Sequence, residues 1–234
     1  MSIVLSVLTP DWLLQVSDAP ESQPRTVKIQ RAGTPGLLGW AGPIETLGPL
    51  IDAIAPRAAI DPADLAEQVK TEAMARVPLE AYATALIAGW GVSPEGHKAS
   101  YRWRVTNFED EETADDVTFS VDGTWLVPSY AQPGGMGKSR ARRSFSVQVS
   151  ATVALPDPIL RRLDRLPRDL KKDPAPNALA IELAGLVTEV LGDGPVTLAL
   201  LRPDGSLEGG ILAGGALTPL AAPREDGIWR LNAG

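Results

Sequence analysis

The chain has 234 residues, 44% of them hydrophobic and 22% charged, the balance of a globular protein with room for a sizeable core. Its net charge of −7 argues against general nucleic-acid binding. With no cysteine and one histidine, disulfides, thiolate chemistry, histidine-based triads and multi-histidine metal sites are all set aside.

The chain opens "MSIVLSVLTPDWLLQVSD". Segments 2–8 and 11–17 are short and aliphatic, separated by Thr9-Pro10, and predict a strand, a tight turn and a second strand. A terminus tied into a sheet is unlike most termini, which fray. Two readings of Ser2 stand side by side. It is a small residue after the initiator Met1, or it is an N-terminal nucleophile once Met1 is removed.

After polar "DAPESQP", the alternation in "RTVKIQRAG" predicts a third strand. "PGLLGWAG" (35–42) is a short apolar run in which Gly39 and Gly42 flank Trp40-Ala41. Glycines so placed suit a strand end approached closely by another backbone or a ligand. Residues 43–55 carry Ile44, Leu47, Leu50, Ile51 and Ile54 on one helical face. Over 61–77, Asp61 is an N-cap, Pro62 takes the first helical position, and Leu65, Val69, Ala73 and Val77 recur every fourth residue.

A second β block follows: "YATALIAGWG" (82–91), "ASYRWRVTNF" (99–108), "DVTFSVDG" (116–123), "TWLVPSY" (124–130) and "RSFSVQVSATVAL" (143–155). His97, in the polar turn "PEGHK", reads as a surface residue. The acidic run "EDEETADD" (109–116) lacks the glycine punctuation of a calcium loop and reads as a solvated turn. Glycine-rich 131–139 is a loop. The basic "KSRARR" (138–143) is a solvated loop or, alternatively, a site for phosphate or an acidic partner.

Asp157-Pro158 opens a helix with Ile159, Leu160, Leu163 and Leu166 on its apolar face. Asn177 opens another with Leu179, Leu183, Leu186, Val187 and Val190. "GPVTLALLRPDGSLEGGIL" closes with a strand, a Pro-Asp-Gly turn and a return strand. Residues 1–215 are read as a single domain, and the Ala/Gly/Pro-rich 216–234 as a loosely held tail. Helix pairs set between groups of strands predict an α+β fold, with two sheets stacked between helix layers, rather than alternating βαβ units.

In this order of elements, and in residues 2–42 specifically, the chain resembles the N-terminal-nucleophile (Ntn) hydrolases, in particular the proteasome β-subunit and HslV branch. That branch begins its mature chain with a threonine in a strand, here aligned with Ser2. An aspartate ends its second strand, and Asp18 falls sixteen residues after Ser2, as in the family. Lys28 in "TVKIQ" takes the place of the family's lysine, and "LLGWAG" (37–42) that of its glycine segment. The chain departs from the pattern in having serine for threonine and a shorter link between Asp18 and Lys28 that holds Pro20 and Pro24. The family's auxiliary serine has no clear match; Ser129 and Ser150 are the candidates.

The resemblance implies a four-layer αββα sandwich of antiparallel sheets and an amidohydrolase or peptidase of peptides or a small amide. In that mechanism the Ser2 hydroxyl attacks while its own α-amine, with a reference pKa of ~7.7–8.0, accepts the proton. Lys28 would favour the neutral amine, Asp18 would hold Lys28, and the Gly39 N–H would be the oxyanion donor, a group typically worth ~2.7–4 kcal/mol. Each residue also has a plainer role. Asp18 caps a turn, Lys28 is a solvated strand lysine, and Gly39 and Gly42 serve close packing. The same resemblance implies a closed homo-oligomer, in the family's manner a ring. It leaves open a non-catalytic member that works as scaffold or binding component, and the sequence does not identify any ATPase or adaptor partner. No cofactor or metal motif is found. No apolar run approaches the roughly 20 residues that span a bilayer and no secretory signal is read, so the expected location is cytoplasmic, with no membrane partner.

Overall fold

The structure, a computed structural model, describes residues 1–19, 26–31, 34–54, 61–78, 80–107, 119–126, 146–169 and 175–219. Four strands lead: β1 (Ile3–Leu8), β2 (Leu13–Asp18), β3 (Thr26–Arg31) and β4 (Thr34–Ala41). Helices α1 (Ile44–Ile54) and α2 (Pro62–Arg76) follow, then β5 (Thr84–Val92), β6 (Lys98–Thr106), β7 (Ser120–Leu126) and β8 (Ser146–Ala151). The chain continues through α3 (Asp157–Asp169), α4 (Pro176–Leu191), β9 (Val196–Leu201), β10 (Leu207–Ala213) and β11 (Ala216–Pro219). This is a mixed α+β fold with two antiparallel sheets. One runs β11-β10-β9-β2-β1-β8 and the other β3-β4-β5-β6-β7.

Local chemistry explains several of these elements. Thr9 builds the first hairpin: its N–H and its hydroxyl both donate to the Trp12 carbonyl at 2.9 Å, and its Oγ1 accepts from the Asp11 and Trp12 amides. That side chain makes the turn that Pro10 signals. At α2, the Asp61 carboxylate accepts from the Ala63 amide at 2.8 Å, satisfying one of the helix's orphan donors, and Pro62 needs none. Helix α4 begins one residue earlier than Asn177 implies: Pro176 takes its first turn, after an Ala175 that makes no side-chain cap.

Strand alternation sorts the core. Ile3, Leu5 and Val7 face α3 and α4, packing with Ile159, Leu163, Leu183 and Leu186. Their neighbours Val4 and Leu8 face the other sheet, where Val4 clusters with Ala41 and Leu86, and Leu8 with Leu37 and Ala88. In the five-stranded sheet, Leu38 and Trp40 turn instead to Leu50, Ile51, Leu65 and Val69 of α1 and α2. All six residues of β1 are therefore buried, which is why its sequence is nearly continuous in apolar residues.

Two strand expectations are corrected. The segments 116–123 and 124–130 are not two strands broken at Gly123-Thr124, because β7 runs unbroken through them from Ser120 to Leu126. Gly123 is a seat rather than a turn: a Cβ there would lie 2.0 Å from Trp103 Cε3, so only glycine lets that indole lie across the strand. The strand expected over 143–155 is limited to β8, Ser146–Ala151, with 143–145 outside the described residues. The chain bends just past its end, at Thr152. Of the expected tail, residues 216–219 form β11, which pairs with β10, and 220–234 lie outside the described residues. The turn between β10 and β11 places Gly214 and Gly215 at φ 55° and 80°, backbone that side chains resist.

Candidate active site

Ser2 sits immediately before β1 and is 1% exposed, whereas Met1 is 87% exposed. β8 runs antiparallel beside β1 with Ile3 opposite Ala151, so Thr152 arrives next to Ser2. The Ser2 N–H donates to Thr152 Oγ1 at 2.8 Å, the Thr152 N–H donates to the Ser2 carbonyl at 2.8 Å, and the two hydroxyls lie 3.3 Å apart. One threonine thus meets the nitrogen, the carbonyl and the hydroxyl of Ser2.

On the other side stands β2. Register places Asp18 opposite Ile3, and the Ile3 N–H donates to Asp18 Oδ1 at 2.8 Å, making the carboxylate part of the ladder. The next rung of the six-stranded sheet reads Ser150, Val4, Ser17, Thr197 across four strands. These three hydroxyl residues are buried, and Thr197 Oγ1 has no hydrogen-bond partner among the described residues. A row of buried hydroxyls is a costly composition for an inter-sheet space. It borders Ser2.

The remaining residues expected at the site lie as follows. Gly39 is in the middle of β4, register-paired with Thr26 on one side and Leu86 on the other. Its missing side chain leaves room for β1 and β2: an added Cβ would meet Val4 Cγ1 at 2.5 Å and Gln15 Oε1 at 3.0 Å. Gly42, past the end of β4, similarly makes room for Ala83, 2.8 Å from the position of a Cβ. Lys28 lies on β3 opposite Leu37, and Leu37 belongs to the cluster holding Leu8, at the end of β1 away from Ser2. The Lys28 side chain lies outside what is described, as do Ser129, the acidic run 109–116 and the basic run 138–143. Ser150 is opposite Val4, two rungs from Ser2. His97 is in the turn between β5 and β6, where its carbonyl accepts from the Ser93 amide.

Sequence reasoning missed Thr152. It stood inside a segment read as continuous strand, and only the pairing of β1 with β8, 150 residues apart, brings it to Ser2. Among the described residues no group of three or more His, Asp or Glu could hold a metal ion. With Met1 attached, the Ser2 nitrogen is a peptide amide, which donates a hydrogen bond and does not accept a proton. Its release as a free amine would turn the same atom into a base beside a hydroxyl.

No protein-family model matches this sequence, and no curated protein matches it.

Proposed function

We propose that this chain is an Ntn-type amidohydrolase with a four-layer αββα arrangement, in which Ser2 becomes the nucleophile when Met1 is removed. The observation that carries the reading is the attachment of the Ser2 nitrogen and hydroxyl to one partner, Thr152 Oγ1, at the head of a buried strand and next to Asp18. A nucleophile and its base must be held in fixed relation, and here they belong to one residue fixed on both flanks.

In the proposed reaction the Ser2 hydroxyl attacks an amide carbonyl and its proton passes to the α-amine. The amine returns that proton to the leaving nitrogen, giving an acyl-serine ester that water hydrolyses by the reverse transfers. Thr152 orients both atoms, and the Asp18 carboxylate beside the site favours the protonated amine as it forms. The roles the family resemblance assigns to Lys28 and the Gly39 amide stay proposals, that of Lys28 requiring its side chain to reach Ser2 from its place opposite Leu37. So do a homo-oligomeric state, a peptide or small-amide substrate and a cytoplasmic location.

A second reading is favoured by one observation. Ser2 is 1% exposed and its nitrogen is an amide satisfied by Thr152. A chain that keeps Met1 would use this arrangement only to anchor its first strand, and would act as a scaffold or binding component. Intact mass of the protein from its native host separates the two. Loss of one methionine, together with amide hydrolysis that Ser2→Ala abolishes, supports the enzyme. A retained methionine, or hydrolysis undiminished by Ser2→Ala, removes Ser2 as nucleophile.

A further inference from the structure

The inter-sheet face of β6 carries chemistry that the Ser2 site does not use. Arg102 is half-buried and donates from Nη1 to Ser146 Oγ at 2.8 Å, crossing from the five-stranded sheet to the edge strand of the six-stranded one. Arg104, two residues on, shares that face, since side chains alternate and Tyr101, Trp103 and Val105 pack on the helix side. A guanidinium carries five N–H donors. Among the described residues, Arg102 gives one of its donors to a neutral hydroxyl and neither arginine forms an ion pair. Asp122 is the register partner of Arg104 on β7, yet the two form no salt bridge.

This is not for want of acids, because the chain has 29 acidic residues against 22 basic ones. Arg102, partly desolvated, is costly without a counter-charge, Arg104 is exposed beside it, and arginine's planar fork matches carboxylate and phosphate oxygens in pairs. The chain between β7 and β8 brings no such group: over 127–145 it contains Lys138, Arg140, Arg142 and Arg143 and no acid. The Ser146 and Ser150 hydroxyls, on residues 5% and 7% exposed, line the facing strand on the same side.

We propose that Arg102 and Arg104, facing Ser146 and Ser150 across the gap between β6 and β8, bind the anionic group of a ligand, a carboxylate or a phosphate. The site shares Ser150 with the row of hydroxyls beside Ser2, and its Ser146 end lies apart from it. Ser146 is opposite Leu8, at the far end of β1 from Ser2.

The test is thermal unfolding of the full chain titrated with inorganic phosphate or with succinate, each against sodium chloride at equal ionic strength. A site binding an anion raises the midpoint with ligand concentration beyond the chloride control. The larger response tells phosphate from carboxylate. Arg104→Gln, an exposed position, should fold normally and lose that response. Arg102→Lys, which keeps the charge without the fork, should weaken it. Equal midpoints in all three salts, or an undiminished response in Arg104→Gln, would overturn the proposal.

Discussion

Thr152 holds Ser2 at three atoms: its hydroxyl accepts from the Ser2 N–H at 2.8 Å and lies 3.3 Å from the Ser2 hydroxyl, and its own N–H donates to the Ser2 carbonyl at 2.8 Å. The two residues are 150 positions apart, so this contact joins the chain's first strand to the end of β8. It fixes the leading end of the fold whichever function Ser2 has.

Thr152→Val keeps the shape of that side chain and removes its oxygen. The part-buried Ser2 N–H then loses its acceptor, a loss that costs about 1–3 kcal/mol. Urea unfolding should show a lower midpoint at unchanged slope, and Thr152→Ser should recover most of it. A valine variant as stable as the parent would show that the hydroxyl does not anchor β1.

Gly39→Ala places a methyl 2.5 Å from Val4 Cγ1, inside the contact between the sheets. Val4 is 0% exposed and β-branched, so it has little freedom to turn aside. Overpacking of this kind costs about 1–3 kcal/mol. Combining it with Val4→Ala should give a loss smaller than the sum of the two single changes, because the second vacates the space the first requires. Additive losses in a double-mutant cycle would place the strain elsewhere.

Asp61→Ala removes the N-cap of α2 and leaves the Ala63 amide to water. The expected loss is about 1 kcal/mol. It should appear in equilibrium unfolding, and Asp61→Asn or Asp61→Ser should retain most of the parent's stability. Equal stability of the alanine variant would mean that Pro62 and packing alone start the helix.

Asp204 sits in the turn between β9 and β10, where its carboxylate accepts from the Ser206 amide at 2.8 Å. The Ser206 hydroxyl and then its amide hold this carboxyl below the usual aspartate range. A group whose folded pKa is depressed contributes stability that is complete above its unfolded value, about 3.9, and is lost as pH falls through the lowered folded value. Asp204→Asn should therefore lose less stability than the parent as pH falls below the unfolded value and through the lowered folded one. Parallel pH profiles of the two proteins would contradict the assignment.

What the sequence determined by itself was local. Thr9-Pro10, Asp61-Pro62 and Pro203-Asp204-Gly205 mark turns and caps whose partners lie within a few residues, so the first hairpin, α2 and the β9–β10 hairpin are readable from pattern alone. The grouping of strands and helices, and hence the α+β class, follows from the same periodicities. Burial at the site was partly legible too, because a strand that begins at Ile3 and is apolar but for Ser6 has both faces covered.

The tertiary structure decided the pairings between distant strands. That β8 lies beside β1, bringing Thr152 to Ser2, depends on hydrogen bonds that any two strand edges can make, so no local pattern encodes the choice. The same limit applies to glycine. Gly123 reads as a turn by propensity and proves to be the flat place on which Trp103 rests, and Gly39 proves to admit Val4. Propensity measures what a residue's own backbone prefers, whereas these positions are set by what another part of the chain needs room to do.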